Sequence, residues 1–126
     1  MPEPKPPKLK ILVVDDEPMV CEAIRMLLSF DGHEVVPASS GGEALALFEQ
    51  GGFDVVITDY HMPKMKGDEL AVALKARRPG QPVVMITAYA EMLKASAGAL
   101  AGVDQLLSKP FQLVELREAI RKATAP

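Results

Sequence analysis

The sequence predicts a single α/β domain in three layers, a (βα)5 arrangement in which helices cover both faces of one parallel sheet. Its 126 residues suffice for one hydrophobic core and leave no room for a second. Five short apolar runs alternate with segments of helical periodicity, an order typical of doubly wound sheets with right-handed crossovers. Hydrophobic residues make up 48% and charged residues 25%, which is a globular composition.

The strands are predicted from their content of Val, Ile and Leu, residues that fit a pleated, buried surface. The five runs are Ile11–Val14, Glu34–Ala38, Val55–Thr58, Val83–Thr87 and Val103–Leu107.

The first two helices show the clearest signals. Pro18 suits the first turn of a helix, and Ser40 is spaced from Glu43 as in a capping box. The first helix carries a continuous apolar stripe at helical spacing, made of Val20, Ala23, Ile24, Leu27 and Leu28. The second is predicted to turn three apolar residues inward, namely Ala44, Leu45 and Phe48.

The other three helices have shorter apolar patterns. The third helix is predicted from Leu70, Ala71 and Leu74. The fourth is predicted from Leu93, Ala97, Leu100 and Ala101. The fifth is predicted from Leu113, Leu116 and Ile120.

Polar residues and proline indicate the strand order. Strands covered on both faces are apolar throughout, whereas edge strands tolerate polar residues and proline. The second run contains Pro37 and the fifth contains Asp104 and Gln105, so both belong at the edges. Order 2-1-3-4-5, a flavodoxin-like arrangement, satisfies this pattern. It places a ligand-binding switch point between strands 1 and 3, beyond their carboxyl ends.

Residues 1–8 contain four of the eleven prolines and read as an extended lead-in, so the folded domain is predicted over 9–124. The net charge is −3; the first ten residues carry three lysines and one glutamate, or +2, so the rest carries −5. A mildly acidic body without a basic stripe argues against direct nucleic-acid binding.

Cysteine and histidine are too few for a disulfide or a zinc cluster. Cys21 has no second cysteine to pair with, and we expect it to be an inert residue beside the stripe of the first helix. The sequence has neither a membrane-span-length apolar run nor a secretory signal, so a cytoplasmic protein without membrane contact is expected.

Five polar residues stand at or just after the carboxyl ends of predicted strands: Asp15, Asp16, Asp59, Thr87 and Lys109. Gathered at one edge, three carboxylates repel one another unless a cation neutralises them. An all-oxygen donor set with open positions favours Mg²⁺ that shares its shell with water and phosphate. A hydroxyl and an ammonium beside them can hold phosphoryl oxygens.

Asp59 is the best candidate for a nucleophile, because its strand is central and the adjacent Asp15 and Asp16 suit a metal-holding pair. Taken singly, each residue has a plainer explanation: a helix cap, a strand threonine, a solvated lysine or a turn aspartate. Their coincidence at one edge favours a site.

At this point the sequence resembles the receiver domain of two-component response regulators. The resemblance covers roughly residues 9–124 and rests on four segments: ILVVDDEP at 11–18, DVVITDYHMPKMKGDEL at 54–70, VVMITAYA at 83–90 and LLSKPF at 106–111. It implies that a histidine kinase or a histidine phosphotransfer protein phosphorylates Asp59. It also implies that Asp16, Asp59 and the backbone carbonyl of His61 ligate Mg²⁺, with Asp15 acting through water.

The resemblance assigns further roles. Thr87 would bond a phosphoryl oxygen in the active state, and Lys109 would pair with the phosphate and Asp59. The Lys109–Pro110 bond would be cis, and Gly67 would let the loop turn into the third helix. Phosphorylation would then change the surface of helix 4, strand 5 and helix 5, which a downstream protein reads.

One position departs from the family pattern. Receivers usually carry Tyr or Phe three residues before the lysine, where this chain has Leu106. The rotating aromatic reporter is therefore absent, and we hypothesise that Tyr89 takes over part of its role or that switching is weak. His61 and Tyr89 flank the path of an attacking water in the family and would tune the phosphate lifetime.

Three functions stay open at this stage. The first is a signalling phospho-acceptor, not a multiple-turnover enzyme, that assists its own phosphorylation and dephosphorylation. It would be a monomer or weak homodimer, acting as a stand-alone regulator, a phosphorelay shuttle or part of a longer protein. The second is a haloacid-dehalogenase-type phosphatase, whose D-x-D nucleophile motif is not matched by the contiguous Asp15 and Asp16. The third is a pseudo-receiver that only docks partners.

Overall fold

The computed structural model describes residues 8–95 and 100–125. Strands and helices alternate along the chain as predicted. They are β1 Lys10–Val14, α1 Pro18–Phe30, β2 Glu34–Ala38, α2 Gly41–Gln50, β3 Val55–Asp59, α3 Gly67–Arg77, β4 Val83–Thr87, α4 Ala90–Ala95, β5 Gln105–Ser108 and α5 Leu113–Thr124.

The five strands form one parallel sheet in the order β2-β1-β3-β4-β5. The predicted fold class and strand order are confirmed. Pro37 lies on the edge strand β2, opposite Val13, where its missing N–H costs the sheet no outer hydrogen bond. Every residue of the central strands β3 and β4 is buried.

Alternating side chains of the sheet build two apolar clusters, one on each face. Ile11 and Val13 pack toward α1 and α5, whereas Leu12 and Val14 pack toward α2 and α3. Each fully buried aliphatic side chain of this kind contributes about 1.5–3 kcal/mol relative to an exposed one. The sheet is thereby fixed between two helical layers, and the carboxyl ends of its strands share one edge.

The buried face of α1 differs from the prediction. Cys21, Ile24 and Leu28 are buried, whereas Ala23 and Leu27 of the predicted stripe are exposed. Apolar residues surround most of this helix, so their spacing alone could not fix which side meets the sheet. Cys21 thus lies on the buried face and not beside it, and its thiol donates to the carbonyl of Val13 at 3.4 Å.

The capping box predicted at α2 is only half formed. The Ser40 hydroxyl accepts a hydrogen bond from the Glu43 backbone N–H at 3.1 Å. The Glu43 carboxylate, however, accepts from the Ser39 hydroxyl at 3.1 Å. A neighbouring hydroxyl has replaced the backbone donor of the usual motif.

The structure around β5 also differs from the prediction, both in the extent of the fourth helix and in the start of the strand. Leu100 and Ala101 lie in a turn and not in the fourth helix, and Ala97 lies outside the described residues. β5 begins two residues later than predicted, because Val103 N donates to the Leu100 carbonyl in a turn; Asp104 N already donates to the Val83 carbonyl at 2.9 Å. The Asp104 carboxylate accepts from the backbone N–H that opens β4 at 2.8 Å and from the ammonium of Lys75 at 2.7 Å.

Residues 1–7 of the proposed lead-in lie outside the described residues, and Lys8 is exposed. None of the helices within residues 8–95 and 100–125 combines the length and the apolar content that a membrane span requires.

Candidate functional site

Three carboxylates meet where β1 and β3 end. Asp15 and Asp16 follow β1 directly. Asp59 is the last residue of β3, which therefore extends one residue beyond the predicted Val55–Thr58. Parallel pairing of β1 and β3 brings these ends together, so that one carboxylate oxygen of each residue lies within 4.8 Å of the others. Asp15 and Asp59 are buried, and Asp16 is half-buried.

Lys109 supplies the positive charge of the site. Its Nζ lies 3.1 Å from Asp59 Oδ1 and 3.8 Å from Asp15 Oδ2. A backbone hydrogen bond fixes Lys109 there, since Lys109 N donates to the Thr87 carbonyl at 2.8 Å. The Lys109–Pro110 peptide is cis, as the resemblance implies. One ammonium against three carboxylates leaves the site with an excess of negative charge.

The pKa of Asp15 is raised in this environment. Burial raises its pKa above the ordinary value of 3.8, and the nearby charges of Asp59 and Asp16 raise it further. A hydrogen bond from the Glu17 backbone N–H at 2.9 Å and the charge of Lys109 act in the opposite direction. A hard divalent cation binds to buried carboxylate oxygens whose negative charge is not balanced by nearby positive groups. The residues present therefore fit Mg²⁺.

Thr87 ends β4 beside these groups and is fully buried. Its hydroxyl oxygen accepts a hydrogen bond from the Tyr89 backbone N–H at 3.0 Å. The hydroxyl proton remains able to donate to a further oxygen. This hydrogen bond links the end of β4 to the residue that precedes α4.

Three rings form a cluster next to the site, a contact that the sequence analysis did not predict. The His61 ring lies edge-on to both tyrosines, with centroids 4.9 Å from Tyr60 and 5.0 Å from Tyr89. The only signal in the sequence was that His61 and Tyr89 each follow a strand-end site residue by two positions. Leu106 lies opposite Met85 in the β4–β5 register and is half-buried.

Gly67 closes the loop that follows Asp59. Its N–H donates to the Tyr60 carbonyl at 2.9 Å. A Cβ built at this position would lie 2.3 Å from the Asp59 carbonyl oxygen, closer than real Cβ atoms approach backbone. Only glycine lets α3 begin this close to the end of β3.

The structure brings all the predicted polar residues to one edge of the sheet. The carboxylates and Lys109 are in mutual reach, Thr87 is joined to Lys109 through the backbone, and His61 and Tyr89 stand in contact beside them. Cys21 is buried on α1, and burial raises the pKa of its thiol above the ordinary value, which disfavours the reactive thiolate.

Known proteins resemble this chain in sequence. The sequence profile of the response regulator receiver domain matches residues 11–121. Response regulator MprA of a Mycobacterium species (strain KMS) is 38% identical over 121 residues, which cover 94% of this chain and 53% of that protein. The probable transcriptional regulatory protein TcrX of Mycobacterium tuberculosis is 36% identical over 84% of this chain and 45% of its own. The chain thus spans about half the length of these curated relatives.

Solved structures agree. A response regulator receiver domain protein from Clostridium thermocellum superposes with a TM-score of 0.84 and 36% identity, covering 92% of this chain and 94% of the other. TrrA from Thermotoga maritima, solved in complex with Mg²⁺-BeF, gives a TM-score of 0.84 and 33% identity over 91% and 98%. The sequence profile, the relatives and the fold lead to one conclusion: the chain belongs to the receiver domain family of two-component response regulators.

Proposed function

We propose that the chain is a phosphorylation-controlled switch in which Asp59 accepts a phosphoryl group from a histidine kinase or a histidine phosphotransfer protein. The observation that carries this proposal is the position of Asp59. Its carboxylate lies 3.1 Å from the Lys109 ammonium and within 4.8 Å of the carboxylates of Asp15 and Asp16, at a sheet edge where family members bind Mg²⁺.

The transfer follows from the groups present. A carboxylate oxygen of Asp59 forms a bond to phosphorus while the P–N bond to the donor histidine breaks, and the electron pair returns to the imidazole. Lys109, which now faces Asp59 and Asp15, would then pair with a phosphoryl oxygen as well, and the Thr87 hydroxyl would donate to another.

The metal would be held by Asp16, Asp59 and the backbone carbonyl of His61, with Asp15 acting through water. When bound, Mg²⁺ supplies charge neutralisation between the carboxylates and the phosphoryl oxygens. All its protein donors are oxygens at one edge, in agreement with the preference of this ion.

Incubation with acetyl phosphate and Mg²⁺ tests the proposal. The wild-type protein should gain the mass of one phosphoryl group, measured on the intact protein, and the gain should be lost in Asp59→Asn and on chelation of Mg²⁺. Asparagine has the same size as the aspartate that it replaces, but its amide is not a nucleophile. Absence of labelling in the wild type would support a pseudo-receiver that only docks partners. Turnover of a small phosphate ester would support a phosphatase, which the family assignment does not favour.

Switching would pass from Thr87 to Tyr89. The Thr87 hydroxyl that turns toward a phosphoryl oxygen is the one that now holds the Tyr89 N–H, so phosphorylation would release the start of α4. Leu106 has neither a hydroxyl nor a ring to report this change. The half-exposed ring of Tyr89 is therefore proposed as the reporter. With His61, it would also set the phosphate lifetime.

Tyrosine fluorescence should detect that movement. The chain has two tyrosines and no tryptophan, so Tyr60→Phe leaves Tyr89 as the sole emitter. Addition of Mg²⁺ with a beryllium fluoride phosphate mimic is expected to change its emission, because the ring loses its contact with His61. The same titration in a Thr87→Ala background should produce no change. Equal responses with and without the Thr87 hydroxyl would contradict this route.

The remaining features are proposals of the same kind. The output surface would be α4, β5 and α5, read by a downstream protein in the cytoplasm, with the chain monomeric or weakly dimeric. The named relatives include transcriptional regulators about twice as long, so DNA contact in such proteins would belong to their other half. This chain would act as a stand-alone regulator, a phosphorelay shuttle or the receiver of a longer protein.

A further inference from the structure

Two lysines in the loop between β3 and α3 occupy positions that favour other residues. Lys64 has φ 69° at the centre of a turn closed by a 2.7 Å hydrogen bond from Met65 N to the Pro63 carbonyl, a conformation suited to glycine. Lys66 is the N-cap of α3, where Asp, Asn, Ser or Thr is preferred and the helix dipole disfavours a cation. Two neighbouring departures from local preference indicate a role outside folding.

Both side chains are exposed, and within the described ranges neither ammonium has a carboxylate within the 4.0 Å of an ion pair. The nearby Glu69 carboxylate is occupied in accepting from the Lys66 backbone N–H at 3.2 Å. The Lys66 ammonium instead stands 5.7 Å from the centre of the Tyr60 ring. Because Tyr60 follows Asp59 directly, this contact keeps the charge near the proposed acceptor.

The acceptor edge needs such charge. Three carboxylates and one ammonium leave two negative charges in excess, and a bound Mg²⁺ would only cancel them, so the edge itself would offer no net attraction to a donor with a doubly charged phosphoryl group. The loop bearing the lysines is held against this edge, because Gly67 is hydrogen-bonded to the Tyr60 carbonyl and packs on that of Asp59. Both lysines therefore lie on the exposed loop that borders the acceptor.

We propose that Lys66, assisted by Lys64, steers doubly charged phosphoryl donors to Asp59. The inference rests on the proposed function and adds to it a determinant of donor preference. The lysines attract the donor and leave the chemical step to the groups at the strand ends. Their effect is therefore on the approach of the donor, and it depends on salt and on the charge of the donor.

The rate of labelling by acetyl phosphate tests this at saturating Mg²⁺. In that reaction an Asp59 oxygen bonds to phosphorus, the P–O bond to the acetyl group breaks and acetate leaves with the electron pair. Lys66→Asn should slow it about three- to fivefold at low ionic strength and less than about twofold at ~0.5 M salt, as expected for a unit charge near a dianion. Phosphoramidate, which carries one net negative charge near neutral pH, should show a smaller loss.

Two controls separate steering from structure. Lys122→Gln on α5 makes the same change in net charge and should label at the wild-type rate at every salt concentration. Lys66→Arg keeps the charge and should keep the rate. Lys66→Asn should also raise Tm by about 2–5 °C, because asparagine is a better N-cap, so stability and labelling change in opposite directions.

Each possible outcome of the labelling experiment either supports the proposal or contradicts it. A salt-dependent loss confined to Lys66→Asn supports the proposal. Labelling of this variant at the wild-type rate, or an equal loss at all salt concentrations and with both donors, overturns it. If the wild-type protein itself is not labelled at Asp59, the proposed function fails first, and that outcome is distinct from the other two.

Discussion

Asparagine in place of Asp15 should leave the metal-free protein more stable than the wild type and weaken its response to Mg²⁺. The variant removes a buried charge that faces Asp59 and Asp16 across a few ångströms. Its side-chain oxygen can still accept the hydrogen bond from Glu17 N, and Lys109 keeps its closer partner Asp59. We expect a gain of about 1–2 kcal/mol in the free energy of unfolding, within the ordinary range of single substitutions.

The pH dependence gives the same prediction an independent signature. The folded protein raises the pKa of Asp15 above its ordinary value of 3.8, so near this pH the folded state holds its proton more tightly than the unfolded state does. The contribution of Asp15 to stability is thus fully present below 3.8 and is lost as pH rises through the raised pKa. Asp15→Asn should lack this loss, and the two proteins should differ most above that window.

Denaturation followed by circular dichroism, with and without Mg²⁺, measures both effects. Mg²⁺ should stabilise the wild-type protein, and its affinity for the variant should fall at least about tenfold, the scale seen when a group that orders a metal's surroundings is lost. Asp54→Asn is the matched control, because the exposed Asp54 carboxylate accepts from the Lys10 backbone N–H where β1 and β3 begin, at the edge opposite the site. A variant that is less stable than the wild type, or that keeps the full Mg²⁺ response, would refute the electrostatic account.

The fold was largely predictable because its strongest signals are local. Pro37 can only sit where a missing donor costs nothing, which fixed β2 at an edge, and the apolar runs of β3 and β4 required cover on both faces. The predictions were wrong where contacts outside an element determine its bounds or its buried face. The predicted fifth strand began too early because Val103 turns back onto the Leu100 carbonyl. The side of α1 that meets the sheet was ambiguous in a helix that exposes Met19 and Phe30.

The candidate site was predictable for a different reason. Parallel strands place their carboxyl ends at one edge, so Asp15, Asp59 and Thr87 had to converge once the strand order was right. No comparable rule of topology predicts which loop residues contact each other. The packing of His61 on Tyr89 depends on two loop conformations that sequence periodicity does not encode.

Alanine in place of Gly67 should be among the most damaging single-methyl changes in the chain. The added Cβ would lie 2.3 Å from the Asp59 carbonyl oxygen and 3.0 Å from the Cα of Tyr60, and both are backbone atoms that no side-chain rotation can move away. Alanine is the better helix former, so propensity alone would favour the change. The steric term dominates, and we expect a loss of about 2–4 kcal/mol in the free energy of unfolding.

The damage should reach the acceptor itself, because the clash is with the backbone of Asp59. Acetyl phosphate labelling should slow at least about tenfold, as expected when a reacting group is displaced by a fraction of an ångström to an ångström. Gly42→Ala in α2 provides the comparison, since nothing lies within 4 Å of a Cβ built there and the change should be neutral or slightly stabilising. If Gly67→Ala matched Gly42→Ala in both stability and labelling, the close approach of α3 to the end of β3 would not be what positions Asp59.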